Sequence, residues 1–200
     1  MKLEPFIRWT SSVFLLFLML TPCRGQMPSA RPLLPGIDRR HEAAQAIVPS
    51  AQKSEAAVLR QSVPSLKVEF DPVTGSPKSV LSTDGFLTGP EGKGATISAA
   101  RLAGFATNDP NRVTKAFLSE HRAIFGHGPE ALDKARISRD YVTPNNGLHT
   151  VVWEQQVDGI AVFEGVLISH TTSKGELVNI SSQFVPDPDG AATRGTPNRA

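Results

Sequence analysis

The segment that comes closest to a catalytic motif is His41-Glu42-Ala43-Ala44-Gln45. A zinc-binding H-E-x-x-H helix carries two histidines one turn apart, and its glutamate activates a water molecule on the metal. In this chain Gln45 stands in place of the second histidine, and an amide is a poor zinc ligand beside imidazole. The segment also lies in a proline-rich stretch without an apolar face. We therefore interpret it as a charged, solvated stretch rather than a metal site.

The remaining histidines are scattered, and each lacks a second ligand one helical turn away. They are His121, His127, His149 and His170. We expect local hydrogen bonds or solvent to satisfy them, although ligation across strands stays open. No G-x-S-x-G motif is present, the only cysteine is Cys23, and Gly89–Gly94 lacks the Gly-Lys-Ser/Thr ending of a phosphate loop. The sequence therefore predicts a non-enzymatic chain that binds no cofactor.

Composition excludes further classes of function. The 200 residues carry 21 Lys+Arg and 19 Asp+Glu, and a formal charge of +2 is too small to indicate binding to nucleic acid or to an acidic membrane. After the first 25 residues Trp153 and Tyr141 are the only Trp and Tyr, which is too few for a base-stacking platform. A single cysteine excludes an internal disulfide and a thiolate zinc cluster.

The N-terminus has the pattern of a secretory signal peptide. Lys2 and Arg8 give it a mildly positive start. The unbroken apolar run Val13–Leu20 is too short to span a bilayer, which needs about 20 residues, but fits the apolar core of an export signal. We therefore expect the mature chain to be secreted, either outside the cell or into a periplasm.

Two cleavage sites compete. Cys23 and Gly25 place small residues three positions and one position before a cut at Gln26, which we favour. A cut before Cys23 would instead give a lipoprotein, but Pro22 stands where such motifs have Gly or Ala. Removal of residues 1–25 takes away more basic than acidic residues and leaves a formally neutral chain.

The elements that could position functional groups begin after a proline-rich lead-in. Gln26–Ser65 has few large apolar residues and is expected to be disordered, except where a short helix could form over Gln52–Arg60. Leu66–Phe70 alternates apolar and polar residues, which predicts a strand. Asp71–Gly75 has the composition of a turn, and Lys78–Leu81 could form the returning strand.

One long helix is predicted over Pro110–Phe125. Asp109 can cap its free amides, and a proline at the first helical position loses no hydrogen bond. One face of this helix carries the apolar residues Val113, Ala116, Phe117 and Ile124. Gly126 is expected to end the helix in the left-handed conformation.

The second half of the chain predicts an antiparallel meander. Its strands are expected at Lys134–Val142, His149–Val157, Val162–Thr171 and Glu176–Val185. Asp158-Gly159 is a tight hairpin turn, and a further turn falls at Gly175. Core-facing positions are expected to be Val151, Trp153, Gln155 and Val157 in one strand and Val178, Ile180 and Phe184 in another.

These elements predict an α+β fold in which one main helix packs on a curled antiparallel sheet. The domain is expected to span 66–185, after the signal peptide (1–25) and the disordered lead-in (26–65). The small, polar tail at 186–200 is expected to be disordered.

The stretch His149–Gly165, with the strands after it, resembles the fungalysin/thermolysin propeptide (FTP) motif. A strand ends in Gln, a short turn contains Gly, and a Val-Phe-x-Gly strand follows. The positions that carry the likeness are Trp153, Gln155, Gln156, Gly159, Val162, Phe163, Gly165 and Gly175. Glu164 departs from the many members that have Gly or Asn there, and we expect the position to tolerate the change because it starts a strand.

The motif residues are expected to have structural roles. Gly159 and Gly165 would serve turns and close packing, and Val162 and Phe163 would serve the core. The side chains of Gln155 and Gln156 could form hydrogen bonds within the sheet. None of them is assigned an inhibitory contact.

The likeness extends upstream of the motif. Val113–His121, followed by Ile124–Gly126, looks like the helix that precedes the motif in fungalysin-type proregions. Phe70–Gly75 resembles the F-D-x-x-T-G strand and turn at the start of such proregions. The resemblance therefore covers about Leu66–Val185.

This resemblance implies a proregion that lies between a signal peptide and a zinc metallopeptidase domain, keeps that domain inactive and assists its folding. The implied partner is the metallopeptidase catalytic domain, in cis or in trans, with no nucleic acid and no membrane after signal cleavage. Zinc is expected only in that catalytic domain, which is absent from this chain. The alternative is a free-standing secreted protease inhibitor or protein-binding module of the same fold.

Overall fold

The computed structural model describes residues 48–72 and 74–194. The chain divides into two units, Met1–Glu42 and Ala43–Ala200, and the described residues belong to the second. The expected signal peptide, most of the lead-in and the segment His41–Gln45 lie outside the described residues.

Six helices and six strands make up the described part of the chain. In chain order they are α1 (Ser50–Ser62), β1 (Leu66–Glu69), β2 (Ser79–Ser82), α2 (Ala99–Ala103), α3 (Arg112–Glu120), α4 (Arg122–Phe125), α5 (Glu130–Asp133), β3 (Arg136–Val142), β4 (His149–Val157), β5 (Ile160–Thr171), β6 (Leu177–Ser182) and α6 (Pro188–Arg194). A short 3-10 turn at Pro90–Gly92 lies between β2 and α2.

The strands form one antiparallel sheet in the order β1-β2-β6-β5-β4-β3. Strands β3 to β6 follow one another as a meander, because short turns join antiparallel neighbours. The β1–β2 hairpin adds to the free side of β6, where Val80 pairs with Ile180. The predicted α+β class with an antiparallel sheet is therefore confirmed.

The helices and one face of the sheet share a single hydrophobic core. The apolar face of α3 and α4 supplies Ala116, Phe117, Leu118, Ile124 and Phe125, all without exposed surface. On the sheet side, alternate residues of β4 are buried, as predicted for Val151, Trp153 and Gln155. Each large apolar side chain buried in this way contributes about 1.5–3 kcal/mol to folding.

The predicted single helix is wrong at its start and in its middle. The helix is interrupted at His121 (φ −104°, ψ 32°), between α3 and α4. The His121 ring donates from Nε2 to the Thr96 carbonyl at 2.7 Å and packs on Phe117. Asp109 does not cap the first turn; its Oδ1 accepts from the Asn111 N–H at 2.8 Å, before the first helical residue. Gly126 ends α4 with φ +74°, as predicted.

Parts of the expected disordered flanks are ordered. Helix α1 is longer than the predicted Gln52–Arg60, and it buries Ala56 and Leu59. Its Gln52 side chain donates to the Ile124 carbonyl at 2.9 Å, which joins α1 to α4. At the other end, α6 occupies residues that were expected to belong to a disordered tail. Helix α1 is ordered because burial of Leu59 in the core offsets the entropy of ordering it. Over residues 188–193, helix α6 has no fully buried side chain, and it lies against β4.

The last strand differs from its predicted pattern. Thr171 pairs with Leu177 and His170 pairs with Asn179, so Val178 is an extra residue in a β-bulge. Leu177 is therefore fully buried and Val178 only half-buried. The buried positions of Ile180 and Phe184 are as predicted.

Candidate interaction site on the β4–β5 hairpin

The β4–β5 hairpin extends beyond its neighbours in the sheet. The pairing of β3 with β4 reaches only to Glu154, and that of β6 with β5 begins only at Leu167. Residues 155–165 therefore form a two-stranded projection, here called the ribbon. At its tip Asp158 (φ +50°) and Gly159 (φ +78°) both have positive φ, which matches the turn predicted from Asp-Gly.

The base of the ribbon is fixed by one buried glutamine. The side-chain nitrogen of Gln155 donates to the Val185 carbonyl at 2.8 Å, and its oxygen accepts from the Val185 N–H at 2.9 Å. Gln155 is 5% exposed. The prediction that Gln155 bonds within the sheet is therefore wrong in its partner, because Val185 follows the end of β6 at Ser182. Gln156, on the other side of β4, is half-buried beside a cleft.

A large bulge separates the ribbon from the main sheet. Glu154 pairs with Val166 but Gln156 pairs with Ala161, so several β5 residues lie opposite Gln155 alone. A Cβ added to Gly165 would lie 2.9 Å from the Cβ of Val162 and 3.2 Å from that of Gln155. The close packing predicted for Gly165 is therefore present, and it leaves no room for a side chain.

Glu164 occupies a demanding position within this bulge. Its φ is +55°, in the left-handed region where a residue with a Cβ is disfavoured by about 1–2 kcal/mol. Gly and Asn are the residues that accept this conformation most easily. The expectation that Glu164 lies at a tolerant strand start is wrong, because the bulge places it in a turn-like conformation.

The ribbon exposes apolar side chains. Phe163 is 90% exposed and Ile160 is 73% exposed. The prediction that Phe163 serves the core is wrong, because this part of β5, in its hairpin with β4, lies beyond the pairing of β5 with β6. Val162 and Val157 were also predicted to face the core, which is wrong, because both are only half-buried and lie outside it. With Ala161 and Pro188 they line a groove of about 400 Å³ between the ribbon and α6.

Both charged residues in the ribbon are acidic. Asp158 and Glu164 are exposed on either side of the apolar side chains, and residues 155–165 contain no lysine or arginine. The ribbon therefore combines a large exposed aromatic side chain with negatively charged carboxylates on either side of it.

A cleft of about 250 Å³ lies at the base of the ribbon. His127, Gln155, Gln156 and Asp187 are among its lining residues. His127 is 6% exposed and packs against the rings of Phe125 and Phe184, and burial lowers the pKa of its imidazole. The neutral ring donates from Nδ1 to the Gly128 carbonyl at 3.2 Å, which leaves Nε2 as an acceptor without a protein partner.

The histidines have mainly local partners. His149 Nε2 lies 2.7 Å from Asp140 Oδ1, and His170 Nδ1 lies 2.9 Å from Thr150 Oγ1. Within residues 48–72 and 74–194, no three His, Cys, Asp or Glu side chains are grouped so that they could hold a metal ion. The helices of that part of the chain are also too short or too polar to cross a membrane.

The other motif residues lie away from the exposed surface of the ribbon. Trp153 is buried in the core under β4. Gly175 lies at the opposite end of β5 with φ +70°, where a Cβ would be 3.2 Å from the Cα of Glu91. Sequence reasoning missed the exposure of Ile160 and the role of Val185. The apolar run from Ile160 to Phe163, which lacks alternation, was the available signal for the first.

Fold and site together define an α+β domain whose most distinctive exposed feature, in the described part of the chain, is an apolar hairpin. Residues 133–184 match the family model described as the Fungalysin/Thermolysin Propeptide Motif. The match includes the ribbon and its base, and it confirms the likeness of His149–Gly165 and of the strands after it. The upstream likeness, at Val113–Gly126 and Phe70–Gly75, lies outside the match and stays a prediction. The chain thus carries a propeptide motif, a non-catalytic region of secreted peptidases, which is consistent with a fungalysin-type proregion. No curated protein and no solved structure was found to match the chain significantly.

Proposed function

We propose that this chain is the proregion of a secreted fungalysin-type zinc metallopeptidase, which inhibits the catalytic domain and assists its folding. The observation that carries the proposal is the propeptide motif at residues 133–184. The partner is then a metallopeptidase catalytic domain, in cis or in trans. Zinc belongs to that domain, and neither nucleic acid nor a membrane is a partner of the mature chain.

The architecture supports this role. A domain that blocks an enzyme by shape and by strand edges needs no catalytic residues of its own. The sheet offers such an edge in β3, where Arg136–Val142 are all exposed. It also offers the ribbon, whose Phe163 has no role in the core.

The expected export signal supports the same role. A cell that makes a secreted peptidase has to keep it inactive until it has left the cytoplasm. The apolar run Val13–Leu20 and the favoured cut at Gln26 would deliver the chain to that destination. We therefore propose an extracellular or periplasmic location.

The test measures inhibition and assisted folding separately. The purified full chain is titrated into thermolysin and into the mature catalytic domain of a fungalysin, and peptidase activity is followed. Each enzyme is also unfolded and refolded with and without the chain, and the recovered activity is compared. We expect lower activity in the first assay and a higher yield in the second for at least one enzyme. No effect in either assay would contradict the proposal.

The alternative of a free-standing inhibitor gives a different pattern in the same assays. A free-standing inhibitor has to act in trans at low concentration, with Kd values of about 10⁻⁹ M or tighter as in the tightest protease–inhibitor pairs, and need not raise the refolding yield. One observation favours this candidate: the described residues form a complete core of their own around Phe117 and Trp153.

A further inference from the structure

We propose that the ribbon is the surface that docks on the peptidase catalytic domain, with Phe163 as its anchor in an apolar pocket that has a basic rim. This inference rests on the proposed function and specifies the contact by which it operates. It concerns residues 155–165 and assigns no role in binding to the core residues of the motif.

The first argument is the exposure of the anchor. Phe163 is 90% exposed and Ile160 is 73% exposed, on a hairpin that projects past both neighbouring strands. Large aromatic side chains that enter a pocket on the partner dominate the affinity of protein interfaces. Neither Phe163 nor Ile160 belongs to the hydrophobic core, so folding alone does not account for their apolar character.

The second argument is the rigidity of the presentation. The Gln155 side chain fixes the base through two hydrogen bonds to Val185. A Cβ added at Gly165 would lie 2.9 Å from that of Val162, so the chain segments at the bulge are closely packed. At the tip, the Asp158-Gly159 turn has the geometry that suits a twisted hairpin. A surface held in one conformation before binding loses less entropy on association.

The third argument is charge, which selects the occupant. Asp158 and Glu164 flank the apolar side chains, and the ribbon carries no basic residue. Two copies of this surface would place like charges together, and an anionic membrane would repel it. A catalytic domain with lysine or arginine around an apolar pocket is complementary to the ribbon, both to its apolar side chains and to its negative charge.

The experiment compares two matched substitutions at exposed apolar residues. Phe163→Ser removes the anchor, and Val58→Ser changes a 55% exposed residue on α1, outside the ribbon. Binding of each full-length variant to thermolysin and to a fungalysin catalytic domain is measured by titration of activity. We expect Phe163→Ser to weaken inhibition about 10- to 100-fold and Val58→Ser to change it less than about 2-fold. Thermal unfolding of both variants should match the wild type, since neither side chain is buried.

A charge variant tests the rim. Glu164→Lys reverses the charge and Glu164→Gln removes it. Both substitutes keep a side chain of similar size that is disfavoured at positive φ to a similar degree. We expect Glu164→Gln to weaken the inhibition and Glu164→Lys to weaken it further. The affinity of the wild type should also fall as salt is added. An affinity that rises in Glu164→Lys would contradict the basic rim.

The outcomes separate this inference from the proposed function. Inhibition by Phe163→Ser at the wild-type level would show that docking uses another surface while the proregion role stands. Absence of binding by the wild type to both enzymes would remove the proregion role and the docking surface with it. Self-association, or binding to phosphatidylglycerol vesicles, that depends on Phe163 would overturn the choice of occupant.

Discussion

The side-chain amide of Gln155 bonds to both backbone groups of Val185, with distances of 2.8 and 2.9 Å. The two residues are 30 positions apart, and their pairing joins the base of the ribbon to the segment that leaves β6. The Gln155 side chain therefore bonds to both backbone groups of Val185, as a residue of a neighbouring strand would, just after β6 ends.

Loss of the Gln155 amide should loosen the base of the ribbon. Gln155→Leu removes both hydrogen bonds and leaves the Val185 backbone groups unpaired in a partly buried place, so we expect the free energy of unfolding to fall by about 2–3 kcal/mol. Urea denaturation measures this change. Gln156→Leu serves as the control and should cost less than about 1 kcal/mol, because the Gln156 side chain is only half-buried whereas that of Gln155 is buried. Equal losses in both variants would contradict the pairing as the cause.

The stability of variants at Glu164 should depend on how readily the new residue adopts a positive φ. Glu164→Gly should raise stability by up to about 1 kcal/mol, because relief of the left-handed conformation exceeds the entropy that glycine adds to the unfolded chain. Glu164→Asn should give a smaller gain, and Glu164→Val should lower stability by about 1 kcal/mol. The thermal midpoints of the series measure these changes. If valine were as stable as glycine, the φ of +55° would not describe this residue in solution.

A methyl group at Gly165 should disturb the bulge. Gly165→Ala would bring a Cβ to 2.9 Å from the Cβ of Val162, closer than non-bonded carbon atoms approach, so the two chain segments have to move apart. We expect a loss of about 1–3 kcal/mol, as for other overpacked sites. Gly104→Ala is the comparison, because its added Cβ would come no closer than 3.3 Å, to the Arg101 backbone oxygen in the last turn of α2, and its φ of −70° suits alanine. A larger loss at Gly104 than at Gly165 would count against the bulge geometry.

His127 should make the domain sensitive to mild acid. Burial lowers the pKa of its imidazole, so the unfolded chain takes up a proton at a higher pH than the folded chain does. Its contribution to stability is therefore complete above the unfolded pKa of about 6.5, and it is lost as the pH falls from there through the folded value. Glu130 raises the pKa of the ring and Arg122 lowers it, and both effects are smaller than that of burial.

The measurement is the free energy of unfolding between pH 7.5 and 5.5. His127→Asn keeps a donor for the Gly128 carbonyl and removes the titration, so its stability should fall less steeply with decreasing pH than that of the wild type. His170→Asn should have a smaller effect, because His170 is only half-buried although burial also lowers its pKa. A slope that is unchanged in His127→Asn would assign the acid sensitivity to other groups.

Local patterns predicted much of the fold. The strand His149–Val157 and the Asp158-Gly159 turn were correct to the residue, because alternation and turn chemistry depend on neighbours in the chain. Gly126 was correct for the same reason. The break at His121 was not predictable, because its cause is a hydrogen bond to Thr96, which is 25 residues away.

Local spacing and residue type are enough to define the class of this domain, because they indicate an antiparallel meander, an amphipathic helical segment and a propeptide motif. The exposure of Phe163 and the positive φ of Glu164 emerge only in the folded chain. The positive φ follows from a bulge whose shape depends on Gln155, Val162 and Gly165 meeting in space. Alternation in a sequence does not show whether an apolar strand residue lies on a buried face or on a projecting hairpin. Here the positions at which β3 and β6 end leave Phe163 on the projecting part of the hairpin.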